Sequence, residues 1–245
     1  MRWIPWTSTV PKYEINKDDT YLALSIPTID SIRMKNLAIT LLKNKKHCMF
    51  VGPTGTGKSV QINSMLKEEF DNQEWTNFVL GFSAQTTANQ TERIIDLSME
   101  KRRKGVYGPM LGKEGVIFVD DLSMPQKGTY GAQPPIELLR QWMDYSGWYD
   151  IDLPTRDFRK LTSVRFVGAM GPPGNGRNSI SDRYTRHFNV IYIEPYNDAS
   201  LKGIFQTIMS WMFQAKNTPP YPQPVQQMKD SIVESTILVY QETMA

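Results

Sequence analysis

The 245-residue chain is 40% hydrophobic and 22% charged, with 16 glycines, 16 prolines and a formal net charge of +3. These proportions exclude a disordered, collagen-like or coiled-coil polymer, and the length fits one large α/β domain with a fragment of a second. No apolar run approaches the roughly 20 residues that a membrane-spanning helix requires, and the N-terminal MRWIPWTSTVPKYEI lacks the continuous apolar stretch of a secretory signal.

In chain order, residues 1–20 mix prolines and tryptophans with a polar NKDD and read as an irregular arm, ordered by packing rather than periodicity. Apolar positions Ile29, Ile32, Leu37, Ile39, Leu41 and Leu42 recur near helical spacing, and Lys43 to Lys46 supply cations where a helix C-terminus favours them. The run Cys48-Met49-Phe50-Val51, stopped by Gly-Pro, predicts a buried strand, and helical patterning resumes over 58–70. Further strands are expected at 77–81, 116–119, 163–170 and 189–193, with helices at 91–101, 135–145 and 181–186. The basic KRRK at 101–104 reads as a solvated helix end rather than a nucleic-acid surface, and glycines at 105, 108, 112 and 115 mark a hairpin insertion. Strands alternating with helices imply a parallel sheet covered on both faces. Beyond Pro195 the pattern is helical only, over 199–213 and, past NTPPYPQP, over 225–240, so residues 1–195 are expected to form the large domain and 196–245 the beginning of a truncated helical one. A lone Cys48 cannot form an internal disulfide, and with only two histidines, His47 and His187, a Cys/His zinc site is excluded, so a reducing, cytoplasmic compartment is expected.

The sequence GPTGTGKS at 52–59 satisfies G-x-x-x-x-G-K-[ST] and falls between the predicted strand and helix. Gly52, Gly55 and Gly57 permit a tight loop that, with Pro53, Thr54, Thr56 and Val60 of the following helix, turns backbone N–H groups toward phosphate oxygens. Lys58 would reach the β- and γ-phosphates and the Ser59 hydroxyl would be a magnesium ligand. The run Val116-Ile117-Phe118-Val119 then delivers Asp120 and Asp121 to the C-terminal edge of the sheet, where open α/β sheets bind ligands. Asp120 is expected to hold Mg²⁺, largely through water, and Asp121 stands where many such ATPases carry the Glu that polarises the attacking water. Asp is one methylene shorter, and misplacement by about 1 Å can cost on the order of 10²-fold in rate.

These residues carry a resemblance. The stretches IPTIDSIR at 26–33, DDLSMPQKGTYGAQPPIELLRQWMDYSGWYD at 120–150, and FVGAMGPPGNGR followed by SDRYTRHFNVIYIEPY make the chain similar to an AAA+ module of the axonemal dynein heavy chains, in particular the third module of the motor ring. The resemblance implies a P-loop NTPase (AAA+) three-layer sandwich around a central five-stranded parallel sheet, binding ATP or ADP with Mg²⁺. It implies adenine contacts from Pro27 and Thr28, with Leu201 and Ile204 approaching from the helical side. It also makes Arg186 an arginine finger acting in trans on a neighbouring module's nucleotide, with Arg183 as second candidate; the alternative for Arg186, less favoured, is a salt-bridged or solvated helix-end arginine. The implied partners are adjacent AAA+ modules of the same heavy chain, dynein intermediate and light chains through the parent protein, and microtubules through other parts of the motor, in the cytoplasm and the cytoskeleton of the cilium axoneme. Nucleic acid and membrane are not expected as partners, a module without its neighbours is expected to be monomeric, and the second sensor arginine is expected past residue 245. Where related modules place a γ-phosphate-sensing Asn, this sequence has Gly171, which offers no side chain.

Two functions stay open on these grounds: a slow, regulatory Mg²⁺-dependent ATPase, or a hydrolysis-inactive switch whose occupancy sets the geometry of the ring. Trp142, Trp148, Tyr145 and Tyr149 read as packing aromatics, and Met110, Met124 and Met143 as gap-fillers.

Overall fold

A computed structural model describes residues 3–10, 13, 15–16, 20–21, 24–70, 73–150, 156–174, 176–216 and 221–244. The chain divides into two units, residues 34–194 and residues 1–33 with 195–245. The residues before Met34, expected with the large domain, thus group with the C-terminal helices.

The 34–194 unit is built on five parallel strands: β1 (His47–Val51), β2 (Trp75–Gly81), β5 (Glu114–Asp120), β8 (Val164–Met170) and β9 (Phe188–Tyr192), in the order β2-β5-β8-β1-β9. Period-two side chains send alternate residues to opposite faces, so each strand feeds two cores. Cys48, Phe50, Val116, Phe118, Val167 and Ala169 pack with α1 (Ile29–Lys43) and α2 (Lys58–Glu69) through Ala38, Leu42, Ile62 and Met65. Met49, Ile117, Val119 and Phe166 pack on the other face with α3 (Ala88–Leu97) and α4 (Pro134–Tyr145) through Ile95, Ile136, Leu139 and Trp142. Sheet and covering helices form the layers that the sequence implied.

Two expectations need correction. The helix predicted over 91–101 begins earlier, behind a Thr87–Gln90 capping box, and stops at Leu97, where Ser98 caps it. The basic run is therefore no helix end. It lies largely in β3 (Glu100–Arg103), which turns back through Gly105 into β4 (Val106–Gly108). Completed by β7 (Phe158–Leu161) and β6 (Gly147–Tyr149), this makes a second, four-stranded sheet in the order β3-β4-β7-β6. The expected hairpin insertion is thus one half of a sheet. Trp148 and Leu161 anchor it in the core, and Arg159 bridges Asp96 of α3, at 2.5 Å, and Asp150, with its guanidinium over the Tyr107 ring. Trp142 and Trp148 are buried, whereas Tyr145 and Tyr149 are exposed; Met143 fills against the core, whereas Met110 is exposed.

In the other unit, α6 (Asp198–Ser210) continues into a π-helical segment, Trp211–Lys216, and the helix expected over 225–240 is two helices, α7 (Gln223–Gln227) and α8 (Lys229–Met244). Leu201, Val233 and Ile237 form their core. The Trp211 indole N–H donates to the Asn16 carbonyl at 2.9 Å, fixing part of the arm. The NKDD segment and the proline-rich stretch at 217–224 lie partly outside the described residues. Among the described residues no helix is long and apolar enough to cross a membrane.

Candidate functional site

The sheet order puts the end of β8 between the ends of β1 and β5. In register, Val51 pairs with Met170 and Val119 with Gly168, so the loop after β1, the acid ending β5 and Gly171 after β8 converge at one edge. The Gly52 N–H donates to the Met170 carbonyl at 3.2 Å, closing the base of the loop.

Residues 52–57 turn from β1 into α2 through two left-handed positions, Gly55 (φ 82°) and Gly57 (φ 72°), which a side chain would strain. Gly57 is the N-cap of α2, and having no side chain it makes no capping bond to the first N–H groups of that helix. Those unmade donors and the positive end of the helix fit a phosphate. Thr56, buried, donates its hydroxyl to the Pro53 carbonyl at 3.0 Å and stiffens the loop from within. The Lys58 ammonium folds over the cradle and donates to the carbonyls of Gly52 (2.8 Å) and Pro53 (2.6 Å) and to Thr56 Oγ1 (3.2 Å). Burial lowers its pKa, the positive charge of Arg177 lowers it further, and Asp120 and Asp121 act in the opposite direction. Thr54 and Val60 are exposed at the rim.

Ser59, in the first turn of α2, donates its hydroxyl to Asp120 Oδ1 at 2.9 Å across the sheet edge. One hydroxyl and one carboxylate suit Mg²⁺, which keeps most of its water and takes few protein ligands. No cluster of three or more Asp, Glu, His or Cys able to hold a metal exists among the described residues. Asp121 adopts φ 52° and is exposed, and its amide donates back to Asp120 Oδ1 at 3.0 Å. The turn therefore commits the Asp121 amide to the Asp120 carboxylate and leaves the Asp121 residue itself exposed.

The arginine-finger candidates belong to a different cluster. Arg186, at the C-cap of α5 (Asp182–Thr185), donates to Asp144 Oδ1 at 2.8 Å and is 61% exposed. Arg183 is 69% exposed and 3.8 Å from Glu137. Asp144 also receives Arg140 at 2.7 Å, so the end of α4 holds Arg186 in place.

In the unit of residues 1–33 and 195–245, a cavity of about 560 Å³ is lined by Ile26, Pro27, Thr28, Gly203, Ile204 and Thr207, among others. Three of the expected adenine contacts, Pro27, Thr28 and Ile204, therefore share one cavity. Leu201 does not line it: the side chain faces Val233 and Ile237 in the helical core. Thr28 spends its N–H on Ser31 Oγ at 2.8 Å and its carbonyl on the Ser31 hydroxyl, which leaves mainly apolar surface for a ligand.

Sequence reasoning missed Arg177, whose Nη2 donates to Thr54 Oγ1 at 3.0 Å. The two glycines that precede it in GNGR, Gly174 and Gly176, were the available signal.

The family described as P-loop containing dynein motor region matches residues 13–196. The chain is 42% identical over 245 residues to dynein axonemal heavy chain 1 of Homo sapiens, covering 97% of this chain and 6% of that protein. It is 39% identical over 246 residues to dynein axonemal heavy chain 12 of Mus musculus, covering 99% and 8%, and 46% identical over 215 residues to dynein axonemal heavy chain 3 of Mus musculus, covering 86% and 5%. It spans less than a tenth of the length of these relatives.

Proposed function

The chain belongs to the P-loop containing dynein motor region family, and from that premise we propose that it is a nucleotide-binding AAA+ module of an axonemal dynein heavy chain, the third of the motor ring. In this reading it holds ATP or ADP with Mg²⁺ and hydrolyses ATP slowly, in a regulatory role. The observation that carries the reading is the pairing of Ser59 with Asp120 at 2.9 Å beside a glycine cradle closed by Lys58. The amides of residues 55–60 would take phosphate oxygens, Lys58 would leave the Gly52 and Pro53 carbonyls for the terminal phosphates, and Ser59 and Asp120 would hold the metal. Bound Mg²⁺ supplies Lewis-acid neutralisation of phosphate charge. Pro27, Thr28 and Ile204 are proposed as base contacts.

The left-handed, exposed Asp121 favours a second reading, an occupancy switch that does not hydrolyse. Adjacent modules as ring partners, Arg186 as a finger in trans with Arg183 behind it, intermediate and light chains, microtubules through other parts of the motor, and residence in the axoneme all belong to the proposal. It is tested by titrating the 245-residue chain with ATP and ADP, with Mg²⁺ or a chelator. Lys58→Ala removes a charge-assisted contact of about 1.5–3 kcal/mol and is expected to weaken binding by at least tenfold. Undiminished binding by that variant would sink the reading.

A further inference from the structure

Gly171 leaves a gap at the end of β8, and a neighbouring cation fills it. A Cβ built on Gly171 would stand 2.1 Å from Arg177 Nη1, 2.5 Å from its Cζ and 2.7 Å from its Cδ. The guanidinium therefore rests against backbone that any other residue would push it from, and from there Nη2 reaches Thr54 of the cradle at 3.0 Å.

The turn carrying Arg177 is built to hold it there. Gly174 (φ 115°) and Gly176 (φ 79°) allow a tight reversal, in which the Arg177 N–H donates to the Gly174 carbonyl at 3.0 Å and the Gly174 N–H returns to the Arg177 carbonyl at 3.3 Å. The next residues are tied to the segment following Asp120. The Asn178 N–H donates to the Ser123 carbonyl (3.2 Å), its side-chain amide donates to the Pro125 carbonyl (2.9 Å), and Lys127 donates to Ser179 Oγ (2.7 Å).

No carboxylate pairs with Arg177 among the described residues, so its charge and that of Lys58 face the same cradle, and the arginine lowers the lysine's pKa. Two like charges held together repel unless an anion joins them. On the cradle reading Lys58 reaches the β- and γ-phosphates, so Arg177, bonded to Thr54 of the same loop, addresses the same end of a nucleotide, and a planar fork suits phosphate oxygens.

We propose that Arg177 is this module's own triphosphate-recognition residue, occupying the space that Gly171 leaves open and turning from Thr54 to the terminal phosphate of a bound nucleoside triphosphate. This rests on the reading of residues 52–59 as a nucleotide cradle. Gly171 then exchanges one sensor for another.

The test measures equilibrium affinity of the 245-residue chain for MgADP and for the magnesium complex of β,γ-imido-ATP. Arg177→Ala is expected to weaken the imido analogue tenfold or more, about 1.4 kcal/mol, and to change ADP less than about threefold. Arg177→Gln, of similar reach without charge, gives the same comparison should the alanine variant not fold. Gly171→Asn alone is expected to weaken the analogue by displacing the guanidinium, and to add nothing further in the Arg177→Ala background, the signature of a coupled pair. Equal losses for both nucleotides, or none for the analogue, overturn the role of Arg177 while leaving the cradle standing. A wild-type chain that binds neither nucleotide overturns the cradle reading, and this one with it.

Discussion

Acid is expected to loosen the 34–194 unit through a single imidazole. His47 opens β1, the strand that delivers the phosphate loop, and its Nδ1 accepts the Phe166 N–H at 3.0 Å. The ring sits among Trp142, Phe166 and Phe188. Burial, then the positive charges of Arg165, His187 and Lys46, push its pKa down from 6.5 to about 4. A proton on Nδ1 would set one donor against another and put a cation inside an aromatic nest. Because the unfolded chain takes up that proton first, the stabilisation is complete above about pH 6.5 and drains away as the pH falls toward 4. A shift of about 2.5 units at 1.36 kcal/mol each gives roughly 3 kcal/mol. The comparison is urea unfolding of the wild type and of His47→Asn, which keeps an oxygen acceptor and does not titrate, at pH 7 and pH 4. Carboxylates common to both cancel in the difference, so the wild type should lose roughly 3 kcal/mol more than the variant over that interval. Equal losses in the two proteins would refute the assignment.

Other outcomes are accessible on the same material. Asp121→Glu should raise single-turnover hydrolysis by up to about 10²-fold, since it restores the missing reach; an unchanged rate would show that the turn, not the side-chain length, limits chemistry. Arg186→Ala should leave this chain's own nucleotide affinity within about twofold, because an exposed pair with Asp144 contributes about 0–1 kcal/mol, while slowing hydrolysis at a neighbouring site in an assembled heavy chain. Loss of local binding would argue against a role in trans. Trp148→Ala should cost about 3–5 kcal/mol in thermal or chemical unfolding, and a loss under 1 kcal/mol would contradict its place in the core.

Legibility in the sequence followed contiguity. The cradle could be read directly because its glycines, Lys58 and Ser59 are neighbours in one loop whose flanking strand and helix each have a clear period. Asp120 could be read because an unbroken apolar run points at it. The second sheet could not: Glu-Lys-Arg-Arg and Phe-Arg-Lys-Leu are short, charged strands without alternation, and what joins the β3–β4 pair to the β6–β7 pair is a β4–β7 register between segments more than 50 residues apart. The expected helix overran for a related reason, since the apolar Met99 continues the periodicity after the Ser98 cap has already turned the chain. Leu201 packs with Val233 and Ile237 in the helical core, partners the local pattern does not name. The glycines before Arg177 marked a turn but not its role, because that role depends on the atoms Gly171 lacks.

The division of labour at the sheet edge bears on what the module can do. The groups proposed to hold a nucleotide are mutually braced, with Ser59 on Asp120, Thr56 on Pro53 and Lys58 on three oxygens of the loop. Bracing of this kind lowers the ordering cost of binding, since the donors and the metal acid are already placed. Phosphate oxygens would replace the carbonyls that Lys58 now satisfies, so the lysine passes from one set of acceptors to another and is not left bare. The group proposed to activate water is arranged in the opposite way. Asp121 is exposed, its backbone is left-handed, and its amide serves Asp120. A site that is stiff where it binds and short where it must activate water favours long occupancy over rapid turnover, and in such a site the identity of the resident nucleotide, which Arg177 is placed to sense, becomes the signal.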